Sequence, residues 1–111
     1  MSNITISGTS QAPNVVNVIA SAGTIVFDLT KGQAQQNTLT ANVTSSSLVA
    51  GPIGFYALVF IQNSTGGFTV VFPTTFKGVQ QPDPGVSVRS TQIVFFDGTN
   101  VIAYGDQVTT T

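Results

Sequence analysis

The sequence contains no histidine, cysteine, tryptophan or glutamate, and only 6% of its 111 residues are charged. Soluble domains ordinarily carry about a quarter. Lys31, Lys77 and Arg89 are the basic residues; Asp28, Asp83, Asp97 and Asp106 are the acidic ones. Without histidine or cysteine, the usual general base, thiolate nucleophile and soft metal ligands are missing. Zero cysteine also excludes a disulfide framework and a thiolate zinc site. A formal net charge of −1 supplies no basic stripe for phosphate backbones or anionic lipids, so neither nucleic acid nor membrane is an expected partner. The longest nearly uninterrupted apolar run, Ile53 to Ile61, is far short of the ~20 residues of a spanning helix. The start, Met1 to Thr5, has no positive side chain, so no secretion leader is expected.

What is present is β-forming. Hydrophobic residues make up 41% of the chain, and β-branched and aromatic types punctuated by Gly, Pro, Asn and Asp favour strands over helices. Strands are expected at Asn3–Ser7, Val15–Ala20, Thr24–Leu29, Thr38–Val43 and Gly54–Gln62. The last is apolar on both parities, as in a strand covered on two faces. Thr65-Gly66-Gly67 predicts a hairpin from it into Phe68–Phe72, which Pro73 ends. Gln80-Gln81-Pro82-Asp83-Pro84-Gly85 is the longest break, and Val86–Val88 a short strand. Ile93–Phe96 and Val101–Tyr104 flank Asp97-Gly98, which predicts a second hairpin through a type I′ turn. The Thr-rich tail from Val108 to Thr111 is expected to fray or to dock on a neighbour. No internal repeat stands out. The expected fold is all-β: an antiparallel two-sheet sandwich, jelly-roll-like, in one domain. Residues 1–22 form an N-terminal strand or arm and residues 23–111 the sandwich.

The residues of types able to carry chemistry read as structural. No two aspartates lie close in sequence and no calcium-loop pattern is present; Asp83 between two prolines and Asp97 before Gly98 fit turns. Thr65-Gly66-Gly67 lacks the lysine and following helix of a phosphate loop. The sequons at Asn3, Asn42 and Asn63 are expected by chance in a chain this rich in Thr and Ser. Phe27, Phe55, Phe60, Phe68, Phe72, Phe95 and Phe96 lie in expected strands and are assigned mostly to the core. No catalytic residue, cofactor or metal site is expected, and the chain does not read as an enzyme.

Several segments together resemble a recurrent module of tailed-bacteriophage virion proteins. They run Gly23-Thr24-Ile25-Val26-Phe27-Asp28-Leu29, Asn37-Thr38-Leu39-Thr40-Ala41-Asn42-Val43 and Gly54 to Asn63, then Thr65 to Pro73 and Ile93 to Thr99. The resemblance covers roughly residues 23–105. It implies a tail, fibre or capsid-accessory subunit with a β-sandwich fold, often trimeric, made in a bacterial host cytoplasm and residing in the virion. That module tends to sit inside longer polypeptides and often carries a tryptophan, which this chain lacks. The short length favours a capsid cement or decoration subunit bound to the major capsid protein. A tail or tail-fibre component, with a glycan receptor as ligand, is the alternative. The resemblance brings no catalytic residue with it. The expected interface comprises the apolar positions of the arm, Ile4, Ile6, Val16 and Val18, with Gln80 and Gln81 of the long loop.

Overall fold

A computed structural model describes the backbone of residues 15–20 and all of residues 23–111. Strands β1 (Val15–Ala20), β2 (Thr24–Asp28), β3 (Ala34–Leu39), β4 (Ser45–Val49) and β5 (Gly54–Gln62) follow in order. They pair in parallel, β1 with β3, β3 with β5 and β2 with β4. Each pairing skips one strand of the other row, so the chain winds round and lays each circuit on the last. Val15 lies opposite Ala34 and Ala34 opposite Ala57, circuits of 19 and then 23 residues. A parallel bridge between Val43 and Val70 continues the stack into the third circuit. The result is a β-solenoid of about three turns.

The chain then reverses. After a short β6 (Phe76–Lys77), β7 (Arg89–Phe96) pairs antiparallel with β5 along its length, from Gly54↔Phe96 to Ile61↔Arg89. Strands β8 (Val101–Ala103) and β9 (Val108–Thr110) both pair antiparallel with β7, and β6 pairs parallel with β8.

The all-β expectation holds, but the antiparallel sandwich or jelly roll does not. Strands of both architectures alternate sides with period two, and that pattern carries no information about a neighbour's direction. The expected hairpin from β5 into Phe68–Phe72 is also absent: the antiparallel partner of β5 is β7, and this segment keeps only the Val70 bridge. Thr38–Val43 is overturned too, because the strand lies earlier, at Ala34–Leu39. Ser45-Ser46-Ser47 opens strand β4. Val86–Val88 forms no strand. The β7–β8 hairpin stands, with a different turn. Gly98 alone of the Asp-Gly pair has a positive φ, and Asp97 Oδ1 accepts the amides of Thr99 and Asn100 across a four-residue loop. The tail pairs with β7 of its own chain through β9. The strand expected at Asn3–Ser7 lies outside the described residues.

The core lies between the inner face of the large sheet and β2. Ile25 and Phe27 of β2 are fully buried, as are Leu39 of β3, Leu58 of β5, Val94 and Phe96 of β7 and Val101 of β8, to within 1%. Phe27 sits at its centre. Its ring is 5.0 Å from Phe76, 6.2 Å from Phe60 and 6.4 Å from Phe72, separations at which aromatic pairs attract beyond their buried area.

Among the described residues five polar ones, Gln35, Asn37, Gln62, Ser90 and Gln92, are buried as well, and their side chains tie backbone segments together. Gln35 Nε2 donates to the carbonyls of Asp28 and Gly32, fastening the bend between β2 and β3. Gln62 grips Phe68 twice: Nε2 donates to its carbonyl and Oε1 accepts its amide. An amide side chain offers one acceptor and two donors, so it can copy a backbone partner where no strand passes. Asn37 Oδ1 is the exception, a buried acceptor with no partner among the described residues.

Gln81 uses the same device from the surface, accepting the Val70 amide at 2.9 Å and donating to its carbonyl. The Gln81→Ala variant is therefore expected to lose about 1–3 kcal/mol of unfolding free energy, because both groups of Val70 lose their partner. Urea denaturation measures this; an unchanged midpoint would mean that the side chain holds nothing in place.

Candidate functional site

Alternation along β5 divides its side chains between two environments. Tyr56, Leu58, Phe60 and Gln62 point into the core. Phe55, Ala57, Val59 and Ile61 point the other way, beside Phe95, Ile93, Thr91 and Arg89 of β7. On this outer face Phe55 and Phe95 are cross-strand partners with ring centroids 4.9 Å apart. Tyr104, just past β8, stands edge-on to Phe55 at 5.3 Å and 6.3 Å from Phe95. The Tyr104 amide donates to the Ile93 carbonyl, which fixes the ring's position against β7. Phe55 is 51% exposed, Tyr104 59% and Ile93 45%.

The cation at this face's far end is already engaged. Arg89 Nη1 donates to Gln36 Oε1 at 3.0 Å. Gln36 lies on β3 and Arg89 on β7, so the pair bridges β5, which runs between them. Val59, though it points outward, is left only 8% exposed. The face is thus apolar and aromatic at the Phe55 end and closed by an amide–guanidinium bridge at the other.

Three of the four aspartates serve turns. Asp28 accepts the amide and hydroxyl of Thr30, Asp83 the amide of Gly85, and Asp97 those of Thr99 and Asn100. The hydrogen bond from the Thr30 side chain is the main cause that holds the Asp28 carboxyl below its ordinary range. The backbone amide of Asn100, then that of Thr99, does so for Asp97. Among the described residues no group of three acidic, histidine or cysteine side chains gathers to hold a metal ion. The side chains of two sequon asparagines are engaged in local structure: Asn42 Oδ1 accepts the Thr69 amide, and Asn63 Oδ1 accepts those of Thr65 and Gly66.

Four of the six expected interface residues lie on the described backbone. Ile4 and Ile6 lie outside the described residues. Val16 and Val18 belong to β1, with backbones opposite Gln35 and Asn37. Gln80 and Gln81 are on the surface with their amides turned to their own chain. Gln80 Oε1 accepts from Gln92 Nε2 and from the Gln107 amide, and Gln81 holds Val70.

Comparison with family models, curated proteins and solved structures gives no match. The surface must therefore be read from its own chemistry. Sequence reasoning misses the outer aromatic cluster because it places Phe55 and Phe95 in the core along with the other strand phenylalanines. The signal that could have found them is the double apolar parity of Gly54–Gln62. One parity fills the core, and the other leaves Phe55 about half exposed.

Proposed function

We propose that the chain is a non-catalytic structural subunit of a bacteriophage particle, a cement or decoration protein attached to the major capsid lattice. The observation that supports it best is the outer face of β5 and β7: Phe55, Ile93, Phe95 and Tyr104 present aromatic and aliphatic surface. Contiguous exposed apolar surface of this kind marks interaction sites. The same reading accounts for the low charge, since surfaces covered in an assembly do not need charge for solubility. A solenoid is not the sandwich that the phage resemblance implies, so the reading rests on the resembling segments and on this surface chemistry.

The mechanism is thermodynamic linkage. A subunit that binds only the assembled lattice stabilises it by its own binding free energy, and an oligomeric subunit multiplies weak individual contacts. Copy number in purified particles tests the assignment. Hundreds of copies per particle are expected. A handful would place the chain in the tail or its fibres, and none would overturn the reading.

A further inference from the structure

We infer that the outer face of β5 and β7, centred on Phe55, Phe95 and Tyr104, is the contact through which this chain associates with copies of itself. The inference names a partner for the surface used above, but it holds or fails independently of any virus particle.

The first argument is the pattern of β5. A strand apolar on both parities is what sheets covered on two sides display. The described residues cover the side of Tyr56, Leu58 and Phe60 and, on the other side, Val59, while Phe55 remains about half exposed. The missing layer has to come from elsewhere.

The second argument is charge. The formal net charge of −1 repels copies of the chain only weakly; on this face the guanidinium of Arg89 is bound to Gln36, and the exposed Lys77 stands at the edge, in register beyond Ile102. Foreign partners are commonly selected by complementary potential. A face whose charges sit only at its edges, on a chain of so little net charge, meets little repulsion from an identical face. Symmetric association about a rotation axis is also the commonest form of assembly.

The third argument is size. Phe55, Tyr104, Ile93 and the partly exposed Phe95 together present on the order of 400 Å² of apolar surface, taking ~200 Å² for a whole aromatic side chain. A standard interface buries ~800 Å² per partner, so this cluster has the extent of the central anchor of such a contact. Sheets pack face to face at ~10 Å, and the flanking Ala57, Thr91 and Ile102 complete the contact at its rim. A sugar ligand fits less well. Phe55 and Tyr104 stand at 88° to each other and Phe55 and Phe95 at 65°, so they form no common flat platform.

Sedimentation velocity on the purified full chain, from micromolar to submillimolar concentration, tests the inference. The wild type is expected to be oligomeric. The Phe55→Ser/Tyr104→Ser double variant should dissociate, with affinity weakened by at least about tenfold. Val71→Ser, at another exposed apolar position, should associate as the wild type does. Circular dichroism of the dissociated double variant should retain the β spectrum, which separates lost contact from lost fold. A wild type that is monomeric throughout overturns the inference, as it would if residues of the same chain cover the face. So does an oligomer that survives the double substitution, or a double variant that has lost its β spectrum. Particle copy number reads the virion assignment separately, so either result can fail without the other.

Discussion

Substituting Phe27 by alanine is expected to lower the unfolding free energy by about 3–5 kcal/mol, the range for truncating a buried phenylalanine. The ring is fully buried and contacts Phe60, Phe72 and Phe76. These neighbours belong to three segments: β5, the stretch after the Val70 bridge, and β6. A cavity there cannot collapse by moving one strand, because each neighbour is held by a different part of the sheet. The comparison variant is Phe95→Ala, whose ring lies on the outer face. In the dissociated protein it should cost less than half as much. Urea denaturation of both variants checks the pair, and equal losses would mean that the core is not centred on Phe27.

Gly51→Ala is expected to cost about 3 kcal/mol, at the upper end for overpacking. Conformation is not the cause, since Gly51 is not among the residues with positive φ. A methyl group there would sit 2.6 Å from the carbonyl carbon and oxygen of Leu29. Both are backbone atoms of the preceding circuit, and the Leu29 amide is itself bonded to the Val49 carbonyl at 3.0 Å. Relief therefore means separating two circuits at their closest approach. A thermal melt of the variant is the check, and an unshifted midpoint would show that the corner can open freely.

Legibility in the sequence followed the range of the signal. Local alternation placed β2 and β5, and the Asp97-Gly98 turn placed the β7–β8 hairpin, because each depends on residues close in the chain. Strand direction depends on partners about 20 residues away, and nothing in Val15–Ala20 records whether its neighbour runs with it or against it. The repeat was concealed by unequal circuits, of 19 and 23 residues, and by β3. Its inward positions are Gln35, Asn37 and Leu39, so two of three are polar and the strand does not read as half-buried. Those amides are legible only once the carbonyls they reach are known. The outer face was legible in part: the double parity of β5 was visible, but which side the chain would leave uncovered was not. As for the expected contacts, the sequence showed that Gln80 and Gln81 were polar and in a loop. It did not show that Val70 and Gln92 would claim their amides.

The strand that turns back along β5 has one further effect. Three circuits of parallel backbone, left with a bare final edge, would be a template on which identical units could stack end to end without limit. With β7 lying antiparallel over that edge, the next chain would meet a strand of the wrong polarity, itself already bonded to β8 and β9. At that pole β5 is no longer open to a second chain, which counts in a protein with so few charges to keep its copies apart.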